Sequence, residues 1–136
     1  MHFKNYYKDL YLISALAEGA DSLVAKIALK VGYKLIVYIP FCESEYIKSF
    51  SDNNHKKEYF KLKDLAVDFK VICLDKVKSK DLCYQKLGKE IVDNSDYLLA
   101  LWDRVDNKKI GGTADVVKYK MQKDKQNSLI IIDIKR

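Results

Sequence analysis

Apolar runs alternate along this chain with stretches of helical period. Leu10 to Ala15 is a short apolar run and reads as a buried strand. Leu23, Val24, Ile27, Ala28 and Val31 recur at steps of three and four, so residues 20–31 read as an amphipathic helix with these side chains inward. Gly32 supplies a C-terminal stop. Leu35-Ile36-Val37-Tyr38-Ile39 is continuous and β-branched, a second strand ended by Pro40. Residues 41–53 look irregular, with one helical turn over Glu43 to Phe50. From Asn54 the spacing of Tyr59, Leu62, Ala66 and Phe69 predicts a helix, and Val71-Ile72-Cys73-Leu74 a third strand. Asp81 can cap a helix carrying Leu82, Leu87 and Ile91. Tyr97 to Trp102 is a fourth strand, and Asp103 to Ile110 a polar loop. Gly111-Gly112-Thr113 opens a helix with Ala114, Val117 and Met121 on one face, and Leu129 to Ile132 is the last strand.

Strands that alternate with helices and are apolar throughout predict a mostly parallel sheet, here of about five strands, covered on both faces. Right-handed crossovers make that a three-layer, Rossmann-like α/β architecture. Neither a linker nor a repeat interrupts residues 1–136, which read as a single domain. Composition agrees: 49% hydrophobic residues exclude the disordered and low-complexity classes. The apolar runs are all far shorter than a membrane-spanning helix, so the expectation is a chain without membrane contact.

The formal charge is +6, from 25 basic and 19 acidic residues. The only arginines are Arg104 and Arg136, and the lysines are spread among acids. Diffuse lysine points to a solvated surface more than to a nucleic-acid groove, although a basic balance keeps DNA among the partners to consider. Cys42, Cys73 and Cys83 form no C-x-x-C pair; Cys73 reads as a small buried hydrophobe, and a reducing, cytoplasmic setting follows. His2 and His55 are isolated, so neither zinc nor any other metal or cofactor is expected. Leu10 to Ala17 imitates a signal peptide, but Glu18-Gly19-Ala20-Asp21 continues it as a strand-to-helix junction.

Ligands of such sheets bind beyond the carboxyl ends of the strands, beside helix N-termini. Three junctions fit. Ser14-Ala15-Leu16-Ala17-Glu18-Gly19-Ala20-Asp21 has small residues that let a ligand approach the backbone. Glu18 there reads as a partner for ribose hydroxyls or as a carboxylate acting on a glycosidic carbon, while Asp21 reads as a ligand contact or as the helix cap. In the second junction, Gly111, Gly112 and Thr113 offer free N–H groups and a hydroxyl to a phosphate, with Asp115 in the first turn. A plain loop-to-helix turn capped by Thr113 is the alternative. At the third, the Trp102 ring can stack a base and Asp103 can bond a hydroxyl, or Trp102 can simply pack at the core edge. Phe41 and Tyr46 either line the same mouth or belong to a loop packed over the sheet.

Together these junctions resemble the SLOG superfamily, a Rossmann-like group that includes the LOG phosphoribohydrolases, the DNA-processing Smf proteins and sensor domains of TRPM channels and Thoeris-type defence systems. The segments that carry the resemblance are Leu12 to Asp21, Leu35 to Phe41, Asp96 to Asp103 and Gly111 to Val117, collinear over nearly the whole chain. The resemblance implies binding of a nucleotide or an NAD-derived, ADP-ribose-like ligand, with Gly111 to Thr113 on phosphate and Ser14 to Asp21 on the sugar.

LOG enzymes carry a PGGxGTxxE-type motif with a catalytic glutamate and a partner arginine. Here Gly111-Gly112-Thr113-Ala114-Asp115 lacks the second Gly-Thr element and has no glutamate three residues beyond Thr113. Family members also begin with a strand, a glycine loop and a helix ahead of the segment matching Leu10, where this chain has nine residues. A chain without that central unit would expose a sheet edge, so a homo-oligomer is expected. The leading expectation is therefore a non-enzymatic nucleotide-binding or nucleotide-sensing module of defence or signalling. The alternatives are an N-glycosidic-bond hydrolase using Glu18 or Asp115 as its carboxylate, and a DNA-associated Smf-like protein.

Overall fold

The computed structural model describes residues 9–74, 79–102, 113–123 and 129–133. The chain is an α/β protein in two compact units, Met1–Val71 and Ile72–Arg136.

The first unit runs β1 (Tyr11–Ser14), α1 (Ala20–Lys30), β2 (Lys34–Ile39), α2 (Glu43–Lys48), α3 (Asn53–Asp64) and β3 (Asp68–Val71). Its strands form a parallel sheet in the order β1-β2-β3. Leu12 lies opposite Leu35, and Val37 opposite Phe69. The side-chain period of a strand puts Leu35, Val37 and Ile39 of β2 on one face, and all three are buried. α1 lies against β1, β2 and α3. It ends in a Schellman motif, in which Tyr33 N–H donates to Ala28 O at 2.8 Å and Gly32 N–H to Leu29 O at 3.2 Å.

Beside the ends of β1 and β2 sits an aromatic cluster. Tyr46 of α2 meets Phe41, Phe50 and Tyr59 edge-on or nearly so, with ring centroids 5.0–6.1 Å apart. Phe41 and Tyr46 are buried, so they belong to a covering segment packed on the core.

The second unit contains α4 (Lys80–Asp93), β4 (Leu98–Trp102), α5 (Thr113–Lys123) and β5 (Leu129–Asp133). β4 and β5 pair in parallel. Val92, Leu98 and Val117 form its core, joined by Val116 and Tyr119. Gly88 lets α4 and α5 close: a Cβ there would stand 2.6 Å from Val116 Cγ2.

Several expectations are corrected. The described strands form a sheet of three and a separate pair, rather than one sheet of about five. β3 begins at Asp68, because Phe69 belongs to an alternating edge strand, Asp68-Phe69-Lys70-Val71, instead of to the preceding helix. The inward face of α1 is Ser22 and Ala25, while Leu23, Ile27 and Val31 are about half exposed. α4 is capped by Ser79, whose Oγ accepts from Leu82 N–H, and not by Asp81. Cys73 is no free buried thiol: it is joined to Cys83 of α4 in a disulfide, with Cα atoms 6.0 Å apart. Among the described residues no helix is long and apolar enough to cross a membrane.

Candidate functional site

The β1–α1 junction is the best-defined site residue by residue. Ser14 ends β1 with its side chain buried, and its Oγ accepts from Leu16 N–H at 3.0 Å. Leu16 has φ 53°, the left-handed region that costs a non-glycine residue roughly 1–2 kcal/mol. Two hydrogen bonds hold it there. Its N–H is taken by Ser14, and its carbonyl accepts from His55 Nε2 at 2.9 Å. Ala15 is fixed from another element, since the Tyr46 hydroxyl donates to its carbonyl at 2.9 Å.

α1 then opens at Gly19, with φ 89° and no side-chain cap. Space around it is free, so only the backbone conformation calls for glycine. The first N–H groups of α1 are thereby left without a capping side chain. Asp21 does not cap the helix. Its Oδ2 accepts from Ala17 N–H at 3.1 Å, tying the loop back onto the first turn. Burial of this carboxyl raises its pKa above the ordinary aspartate value, against the lowering effect of that hydrogen bond and of nearby His55.

Glu18 reaches back to the chain ahead of α3. It accepts from Ser51 N–H and Ser51 Oγ–H, both at 2.9 Å, and from Asp52 N–H at 3.2 Å. These bonds, the Ser51 amide first, hold its pKa below the ordinary glutamate value. The carboxylate pins the β1–α1 loop to the entry of α3. Three of its acceptor positions are thereby used within the protein.

Between the openings of α1 and α3 lies an open cavity of about 300 Å³. Glu18, Gly19, Ser22 and Leu23 line it from one side, and Asp52, Asn54, His55 and Glu58 from the other. Lys26, also on the wall, pairs with Glu58 at 2.6 Å. Glu18 and Asp52 add two further carboxylates to the wall, so the cavity suits hydroxyls, bases or cations better than phosphate.

His55 and Ser22 had no part in the expectations from sequence. His55 is buried in the first turn of α3, 33 residues from Ser22, and the pair meets at 3.4 Å between Nδ1 and Oγ. Only the folded topology brings them together. No sequence signal marks the pair, since the helical pattern of large apolar residues places Ser22 off the inward face.

The second unit places its candidates less fully. Thr113 is the first residue of α5, Asp115 stands in its first turn, and Trp102 ends β4. Asp103, Gly111 and Gly112 lie outside the described residues. Among the described residues no group of three or more His, Cys, Asp or Glu side chains could hold a metal ion.

No protein-family model matches the chain, and no curated protein matches it.

Proposed function

We propose that the β1–α1 junction and its cavity bind the sugar side of a nucleotide or an NAD-derived, ADP-ribose-like ligand, and that the protein senses this ligand instead of cleaving it. The observation that carries the reading is the uncapped opening of α1 at Gly19, beside a cavity rich in hydrogen-bonding groups at the carboxyl end of a parallel sheet. The strained Leu16, held from both sides, keeps that opening in shape. Asp52, Asn54 and Glu58 offer acceptors and a donor suited to vicinal hydroxyls. The acidic wall argues that phosphate lies outside this cavity, and the resemblance to the Rossmann-like SLOG superfamily favours the same ligand class. The commitment of Glu18 to Ser51 and Asp52 supports binding over glycosidic cleavage. Among the described strands β1 pairs only with β2, and its edge residues Tyr11 to Ser14 carry no charge, which supports self-association along that edge.

Calorimetric titration with ADP-ribose, NAD and AMP tests the reading. Saturable heat is expected with at least one of them and is expected to weaken in Gly19→Val, which strains the helix opening. Absence of heat from all three at millimolar ligand overturns it.

A further inference from the structure

The contact of His55 with the Leu16 carbonyl selects one of the two neutral tautomers. Nε2 lies 2.9 Å from the Leu16 carbonyl, which can only accept, so Nε2 carries the proton. In the neutral ring Nδ1 is then an acceptor, and it faces the Ser22 hydroxyl at 3.4 Å, which can donate to it. The ring is further held edge-on by Phe50, with centroids 4.4 Å apart. A serine hydroxyl facing the acceptor nitrogen of a clamped imidazole is the arrangement that activates a hydroxyl nucleophile. Both residues line the 300 Å³ cavity, so the pair faces space that a small molecule can enter. Ser22 lies in the first turn of α1, whose leading amides have no side-chain cap and whose dipole favours a developing negative charge.

We propose that Ser22 and His55 are a nucleophile and general base, and that the cavity hydrolyses small uncharged or cationic acyl esters. Ser22 Oγ attacks the ester carbonyl carbon as its proton passes to His55 Nδ1. The tetrahedral adduct collapses, the C–O bond to the alcohol breaks, and the leaving alkoxide takes the proton from Nδ1. Water then attacks the acyl-serine carbonyl, giving its proton to Nδ1. The acyl–Oγ bond breaks, the proton returns to Ser22, and a carboxylic acid leaves. The Glu18, Asp52 and Glu58 carboxylates on the wall select against anionic acyl groups. This proposal does not rest on the nucleotide reading, since it needs only the pair and the cavity.

The test treats the full chain with an uncharged alkyl fluorophosphonate, maps the adduct by mass spectrometry, and follows turnover of p-nitrophenyl acetate. The expected result is phosphonylation of Ser22 and a loss of ester turnover of at least about 100-fold in Ser22→Ala, in line with removal of a nucleophile–base unit. Ser22→Ala removes only one oxygen, and its circular dichroism confirms the fold. Because His55 is buried, His55→Gln serves as a second variant only if it folds; adduct mapping on the unaltered protein needs neither variant. Labelling confined to other residues, or the same ester turnover in Ser22→Ala, overturns the proposal.

Discussion

Tyr46→Phe isolates the bond that ties α2 to the β1–α1 junction. The ring is almost wholly buried and would keep its contacts with Phe41, Phe50 and Tyr59. Only the hydroxyl is lost, and with it the 2.9 Å bond to the buried Ala15 carbonyl. A hydrogen bond of this kind is worth about 1 kcal/mol net, and leaving its buried acceptor without that donor raises the cost to about 1–3 kcal/mol. For a chain of this size the loss corresponds to a fall in Tm of roughly 3–10 °C. Urea denaturation followed by circular dichroism should show a lower midpoint with an unchanged slope, because the surface exposed on unfolding is the same. Leu16 should also lose part of its restraint, so hydrogen exchange of the Leu16 and Ala17 amides should quicken. A variant as stable as the parent, with unchanged exchange at both amides, would refute the claim that this bond shapes the junction.

Other predictions bear on both units. Gly88→Ala gains about 1 kcal/mol of helix propensity, but its methyl meets the stiff Val116 side chain, an overpacking cost of about 1–3 kcal/mol. Net destabilisation is expected in thermal unfolding, relieved when Val116→Ala is added; a more stable Gly88→Ala would contradict the close α4–α5 approach. Asp21 has a folded-state pKa raised by burial above its unfolded value of 3.8, so the unfolded chain releases that proton first as pH rises. Wild type should therefore lose stability above pH 3.8 relative to Asp21→Asn, with the two converging at lower pH; a difference that is constant across the titration would contradict this. The Cys73–Cys83 disulfide spans 10 positions of sequence, and chain entropy assigns a loop of that size about 2.7 kcal/mol. Thiol titration of the unfolded, unreduced chain should count Cys42 alone, and three reactive thiols there would contradict the pairing.

The alternation of strand and helix was legible because buried parallel strands are continuous apolar runs, as at Leu35–Ile39, and because Gly32 marks a helix end. The register of elements around Phe69 was not, since an aromatic at helical spacing from Tyr59 and Leu62 also fits an edge strand. Nor was the face of α1: the small residues Ser22 and Ala25 pack inward, and a count of large apolar positions selects the opposite side. At the site, sequence marked Ser14, Glu18, Gly19 and Asp21 as one junction but did not show that Glu18 also holds Ser51 and Asp52, 33 and 34 residues away. His55 looked isolated because its partners, Leu16 and Ser22, lie 39 and 33 residues away.

The nucleotide reading stands or falls on what touches the opening of α1. Amide chemical shifts of the isotope-labelled chain, followed during titration with ADP-ribose, test it most directly. The account predicts saturable shifts concentrated at Gly19, Ala20 and Asp21, with Asn54 and His55 across the cavity moving along the same isotherm. Shifts that leave these five amides in place while others saturate, or none at all, would contradict it.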